Sequence, residues 1–147
     1  MRSEVRWIAL RAGAGALLFS ALAFGCARAP RVRVENAWMR PVAVGQTTAA
    51  YFTLVNDSPD TLVLVKVDVP AVEMAMMHET VHEGAMLSMR KADRFVVAPH
   101  AKLRFSPGGN HVMAMQALVG LAEGDTTAMW LDFADGTKLR ATALVRS

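Results

Sequence analysis

From Val32 onward the sequence is a succession of short segments rich in Val, Thr and Leu, and each ends in a strong turn signal. The stretches NDSPD, SPGGN and ADGT are examples of these turns. Segments this short, without a helical period, bury their apolar side chains by pairing as strands. The pattern therefore predicts one all-β domain, an antiparallel sandwich or barrel.

We predict strands at residues 32–38, 47–56, 61–69, 72–81, 86–91, 101–105, 111–118, 126–133 and 138–145. Two of the turns between them are predicted to be two-residue hairpin loops. Asp135-Gly136 fits a type I′ turn, in which both central residues need positive φ. Glu83-Gly84 is predicted to close the other hairpin, and that register places His78 directly opposite Met89.

Residues 1–25 have the layout of a secretory signal, because three arginines precede an apolar run that stops at Cys26. The run is shorter than the about 20 residues that a membrane-spanning helix needs. LAFGC resembles a lipobox, so Cys26 is the expected lipidation site. The alternatives are a short membrane anchor or buried helix, and ordinary cleavage near residues 27–29. Residues 26–31 are interpreted as a spacer and 32–147 as the domain of a protein of the periplasm or cell envelope.

Charge and cysteine content exclude several functions. Residues 26–147 carry 13 basic and 12 acidic side chains, without a basic run that alternates with aromatic residues, so nucleic acid is not an expected partner. Cys26 is the only cysteine, which leaves neither a disulfide nor a catalytic thiolate in the domain. Nucleophile-elbow serines, carboxylate pairs and phosphate-binding glycine loops are also missing from the sequence. We therefore expect a protein that is not an enzyme.

Four histidines and ten methionines are the chemically distinctive residues that remain. Methionine is an adaptable core filler, and we interpret six of the ten in this way. These six are Met39, Met74, Met76, Met77, Met86 and Met129. In the stretch HVMAM, strand alternation places His111, Met113 and Met115 on one face. Together with the His78–Met89 hairpin, two elements each offer one imidazole with a thioether within reach.

Two imidazoles and two thioethers suit Cu(I), because a soft monovalent ion matches soft, neutral ligands. Mg²⁺ and Ca²⁺ require oxygen ligands, and Zn²⁺ prefers thiolate, imidazole or carboxylate. A site without thiolate releases its ion more readily than a cysteine site and is not lost to disulfide formation in an oxidising compartment. This chemistry favours storage and transfer of copper over catalysis.

The spacing of these residues is distinctive: ten residues separate His78 from Met89, twenty-one separate Met89 from His111, and one separates His111 from Met113. This pattern resembles the signature of the PCu(A)C periplasmic copper chaperones. The stretches VENAWMRP, TAAYFTLVN, MHETVHEGAMLSMR and PGGNHVMAM also resemble that family, so the likeness covers most of the chain after the signal segment.

The resemblance implies a cupredoxin-like Greek-key antiparallel β-sandwich that binds copper through His78, Met89, His111 and Met113. Members of the family supply copper to the Cu(A) centre of cytochrome c oxidase, often alongside Sco-type thiol proteins. The resemblance therefore implies a copper chaperone with these partners, and we expect it to be a monomer that meets the membrane only through a lipid anchor at Cys26.

Three residues near the signature are given other roles. His82 is interpreted as an exposed turn residue, His100 as a solvated loop residue, and Met115 as part of the apolar surround of the site or of the core. Two other functions stay open. One is a structural or adhesion-type β-sandwich in which the methionine row is core, and the other is a copper enzyme or electron-transfer protein, although a blue-copper centre requires a Cys thiolate.

Overall fold

The computed structural model describes residues 31–147; the predicted signal segment, Cys26 and the spacer up to residue 30 lie outside the described residues. In the described part of the chain, all regular secondary structure is β-strand. The strands are β1 (Val32–Met39), β2 (Thr48–Asn56), β3 (Leu62–Asp68), β4 (Val72–Glu83), β5 (Met86–Lys91), β6 (Phe95–Val97), β7 (Lys102–Phe105), β8 (His111–Ala117), β9 (Thr126–Phe133) and β10 (Lys138–Val145). A helix with the length and hydropathy to span a bilayer does not occur within 31–147.

All predicted strands are present, with ends shifted by at most two residues, and only the three-residue β6 was not predicted. The predicted type I′ turn at Asp135-Gly136 is wrong in type, although the hairpin between β9 and β10 is correct. Only Gly136 has positive φ, and its N–H bonds to the carbonyl of Phe133. The loop is therefore longer than two residues, and glycine occupies the left-handed position of a type I turn with a bulge.

The strands pair in the order β5-β4-β8-β2-β1-β10-β9-β3-β6, and β7 also pairs with β2. Every pair is antiparallel except β1 with β10. A bulge between Glu35 and Trp38, where Asn36 has φ +52, redirects β1 so that it reaches β10. The path thus folds into two packed layers, as the predicted antiparallel sandwich requires.

The core lies between these layers and takes alternate residues from each strand, including Phe52 and Leu54 of β2, which are 1% and 0% exposed. The predicted packing role is confirmed for Met39, Met77 and Met129, all of which are buried. It is wrong for Met74 and Met86, which are 53% and 71% exposed, and only half true of Met76, which is half-buried. Met86 is exposed because β5 is the edge strand and nearly all its side chains face solvent.

Glu35 links β1 to β7 by accepting a hydrogen bond from Lys102 Nζ at 3.1 Å, and Arg33 donates to the same carboxylate. These two hydrogen bonds lower the pKa of Glu35, and the bond from Lys102 has the larger effect. A lowered pKa in the folded state means that this link stabilises the fold at neutral pH and is lost as the pH falls through that value.

The row of histidine and methionine on β8 lies on the outer face of the sheet. Val112 and Ala114 are fully buried, so they point into the core. Side chains alternate along a strand, and His111, Met113 and Met115 must therefore point to the opposite face. The predicted ligand row is thus placed on the surface of the sandwich rather than in its core.

Candidate metal centre

The β4–β5 hairpin has a different register from the predicted one. Its two-residue loop is Gly84-Ala85 rather than Glu83-Gly84, and Met89 pairs with Thr80 rather than with His78. Only the first central residue, Gly84, has positive φ (+66), which is the pattern of a type II′ turn. The register differs by two residues, an even number, so Met89 still shares a face with His78 and is its diagonal neighbour.

The two histidines of the signature are brought together by a pairing between β4 and β8, with His78 directly opposite His111. Their rings are stacked, with centroids 5.5 Å apart and an interplanar angle of 13°. Directly opposite residues point to the same face of a sheet, so both imidazoles lie on the outer face. The pairing also places Met113, two residues further along β8, beside this stack.

All four predicted ligands therefore lie on one face of three adjacent strands: Met89 on β5, His78 on β4, and His111 with Met113 on β8. The exposed fraction decreases from the edge strand inward. Met89 is 66% exposed, whereas His111 is 8% exposed. The cluster is thus buried at β8 and exposed to solvent at β5.

His111 is oriented by the turn that precedes it. Its Nδ1 lies 3.0 Å from the carbonyl oxygen of Gly109, and a carbonyl can only accept, so the Nδ1–H donates. The other ring nitrogen, Nε2, then carries the lone pair that a metal ligand needs. The SPGGN turn thus selects the tautomer that leaves Nε2 available.

His78 has an unsatisfied polar atom at the same place. Its Nδ1 is buried and has no hydrogen-bond partner among the described residues. Buried polar atoms are nearly always hydrogen-bonded, and an exception calls for an explanation such as an ion. The orphaned nitrogen therefore fits a site in which His78 holds a metal ion.

Thr80 was not recognised in the sequence but supports His111 through the same carbonyl. Its Oγ1 donates to the oxygen of Gly109 at 3.0 Å, so one carbonyl accepts from both Thr80 and His111. This bond fastens the SPGGN turn to β4. A threonine in a strand carries no sequence signal for such a role, because the contact spans two elements that are distant in the chain.

Replacing Thr80 by valine is expected to weaken metal binding by about 3- to 10-fold, less than the about 10- to 100-fold typical of a direct partner of a metal-bound histidine. The control is Thr48→Val, because Thr48 lines the same cleft but donates to Arg40 O at 3.0 Å. Competition titration with a chromogenic Cu(I) chelator measures both. Equal affinities for the two variants would show that metal binding does not depend on the hydrogen bond between Thr80 and the SPGGN turn.

An open cleft of about 490 Å³ lies against the cluster. Its lining includes Met89, His111 and Met113, together with Tyr51 and Thr80, and none of the described residues that line it carries a carboxylate. Nor do three or more His, Cys, Asp or Glu side chains converge anywhere in residues 31–147. A hard cation would therefore find no carboxylate among these residues, whereas the two imidazoles and two thioethers suit a soft ion.

Three other residues lie near the signature. His82 is exposed, as expected, but it lies within β4, opposite Leu87, rather than in the turn. His100 is an exposed loop residue with φ +53, as expected. Met115 is half-buried on the outer face, beyond Met113, and therefore outside the core. The interpretation of the methionine row as core does not hold for this face of the sheet.

Solved structures with the same fold define the class of protein. The copper-bound PCuAC domain of PmoF2 is 20% identical, with a TM-score of 0.65 over 80% of this chain and 94% of that domain. The solution structure of CuI-DR1885 from Deinococcus radiodurans is 30% identical, with a TM-score of 0.63 over 82% of this chain and 83% of that one. The fold is therefore the cupredoxin-like sandwich of PCuAC domains, as the resemblance implied.

Sequence comparison then places the chain more narrowly. A family model described as "Putative lipoprotein LpqE-like" matches residues 32–145, and the chain belongs to this LpqE-like family. "Putative lipoprotein Lxx21020" of Leifsonia xyli subsp. xyli (strain CTCB07) is 30% identical over 111 residues, 75% of this chain. "Uncharacterized protein RP573" of Rickettsia prowazekii (strain Madrid E) is 28% identical over 112 residues, 73% of this chain. The matches span 66% and 62% of the length of these two relatives.

Proposed function

We propose that this protein is a copper chaperone that binds one Cu(I) through His78, Met89, His111 and Met113 and transfers it to another exported protein. The observation that carries the proposal is the convergence of two imidazoles and two thioethers on one open sheet face, beside a cleft without carboxylates. The relative DR1885, 30% identical, was solved in its Cu(I) form, which supports the same ion here.

The arrangement also suits release of the ion. Thioethers and imidazoles are neutral and bind Cu(I) less tightly than thiolates do. Met89 lies on the edge strand and is 66% exposed, so an acceptor's ligands can approach the ion from that side. In our proposal the acceptor is the Cu(A) subunit of cytochrome c oxidase, with a Sco-type thiol protein as a second partner.

The proposal includes export. The lipoprotein names of the family and of the Leifsonia relative support an envelope-associated protein. We assign residues 1–25 to a signal peptide, Cys26 to the lipid attachment point in the periplasm, and 32–147 to the copper-binding domain. Mass spectrometry of the mature N-terminus tests this assignment, since an acylated Cys26 and a chain that starts at residues 27–29 differ in mass.

Met89→Leu is expected to lower the Cu(I) affinity by about 10-fold or more, because leucine keeps the apolar volume but has no sulfur donor. The matched control is Met86→Leu on the same strand, since Met86 is similarly exposed (71% against 66%) but points to the other face. Anaerobic competition with a chromogenic Cu(I) chelator measures the affinities. Identical affinities for the wild type and Met89→Leu would show that Met89 is not a ligand.

A thermal shift separates this proposal from a structural β-sandwich without a metal role. A ligand that binds only the folded state stabilises it by about 2.7 kcal/mol at a free concentration 100-fold above Kd. Cu(I) is therefore expected to raise the Tm of the wild type by several degrees. An unchanged Tm at saturating Cu(I) would favour the structural alternative.

A further inference from the structure

The His78–His111 pair is the end of a longer ladder. In the same register, Met76 is directly opposite Met113, and Met74 is directly opposite Met115. Two cross-strand pairs of thioethers thus continue the histidine pair along β4 and β8. Since all three pairs alternate with core residues, their side chains share the outer face.

Core packing does not account for these methionines. Met74 is 53% exposed, and Met76 and Met115 are half-buried. Exposed apolar side chains on a sheet face gain little from burial, and methionine has no special preference for strands. What the three side chains share is a soft, neutral sulfur donor.

The part of β4 that carries Met74 and Met76 is also the open part of that strand. β5 pairs with β4 only from His78 to Glu83, and the N–H of Ala92 extends this coverage to Met77. In the described residues, the edge of β4 before Met77 has no neighbouring strand. A metal donor or acceptor can therefore approach this end of the ladder directly.

We propose that Met74, Met76 and Met115 form a second site for a soft monovalent ion, next to the His–Met site and built from thioethers alone. Directly opposite side chains have Cβ atoms about 4.5 to 5.5 Å apart and diagonal ones about 7 to 8 Å, so three flexible thioethers can converge on one small ion. Neutral sulfur donors select Cu(I) or Ag(I) over hard cations.

The second site goes beyond the proposed function because its position suits it to hold an ion that is entering or leaving the His–Met site. Met113, a ligand of the first site, is paired with Met76 of the second. The two sites are therefore adjacent, so an ion can pass directly from one to the other. They share no ligand, so either site can exist without the other and each is tested separately.

Ag(I), a redox-inert soft monovalent ion, is the probe. Native mass spectrometry and calorimetric titration of the mature protein are expected to show two Ag(I) per chain. A Met74→Leu, Met115→Leu variant is expected to bind one, and Met86→Leu, the control with an exposed methionine elsewhere, is expected to bind two. Leucine and methionine have similar volumes, so both variants should keep the fold, which circular dichroism checks.

A His78→Ala, His111→Ala variant separates the two sites, because it is expected to keep the ion held by the thioethers. The inference is wrong if the Met74→Leu, Met115→Leu variant binds as many Ag(I) ions as the wild type. Loss of an ion in that variant, together with unchanged binding in the histidine variant, would instead support the thioether site and count against the His–Met site.

Discussion

A His111→Ala, Met113→Leu double variant is expected to bind Cu(I) at the His–Met site more than about 100-fold more weakly than the wild type. Loss of a partner that merely orients a metal-bound histidine already costs about 10- to 100-fold, and this variant removes two direct ligands. His111 is the best-oriented of the four residues, since the Gly109 carbonyl holds its ring with Nε2 free.

Anaerobic competition against a chromogenic Cu(I) chelator measures this loss, at a chelator concentration that leaves only the tightest site of the wild type loaded. The control is His82→Ala with Met86→Leu, which removes one imidazole and one thioether from exposed positions outside the site. We expect this control to match the wild type. Unchanged affinity in the His111 and Met113 variant would refute the site assignment.

Asn56→Ala is expected to lower the free energy of unfolding by about 3 to 4 kcal/mol. Asn56 is fully buried, and its Nδ2 donates to the carbonyls of Asp60, Val97 and Ala98 at 2.8, 3.2 and 3.0 Å. Its Oδ1 accepts from both the N–H and the hydroxyl of Ser58. Alanine would leave these groups unsatisfied at the end of β2.

Urea and thermal denaturation measure this effect, and at roughly 4 °C per kcal/mol the Tm should fall by more than about 10 °C. Asn110→Ala is the control, because within residues 31–147 its side chain makes only one long bond, 3.5 Å to the carbonyl of Arg104. We expect that control to stay within about 0.5 kcal/mol of the wild type. A change below about 1 kcal/mol in Asn56→Ala would mean that water replaces the lost bonds.

The Asn56 network shows why some of the fold was not visible in the sequence. The NDSPD stretch was correctly predicted as a turn from its composition. Its asparagine also binds Val97 and Ala98, at the end of β6, far along the chain. A turn signal is local, whereas this contact depends on how β3 and β6 pair. For the same reason the three-residue β6 escaped prediction, since it is stabilised mainly by its partner strand.

The hairpin between β4 and β5 shows how far the geometry of the site could be predicted from the sequence. The sequence suggests a two-residue loop, but Glu83-Gly84 and Gly84-Ala85 are both compatible with a glycine in the turn. The choice depends on whether glycine supplies the first or the second central position, and the structure has it first. Because the resulting shift is even, His78 and Met89 keep a common face.

The strand positions and the alternation that puts His111 and Met113 on one side follow from the sequence alone, because the two-residue period of a strand is a local property of the backbone. The set of four candidate ligands came from their spacing, which resembles the PCu(A)C signature. The tertiary structure decided the pairing of His78 with His111 and the burial of Val112, which turns the ligand row outward. It also revealed the methionine ladder beyond the histidines. These depend on register between strands distant in the chain, which local periodicity does not specify.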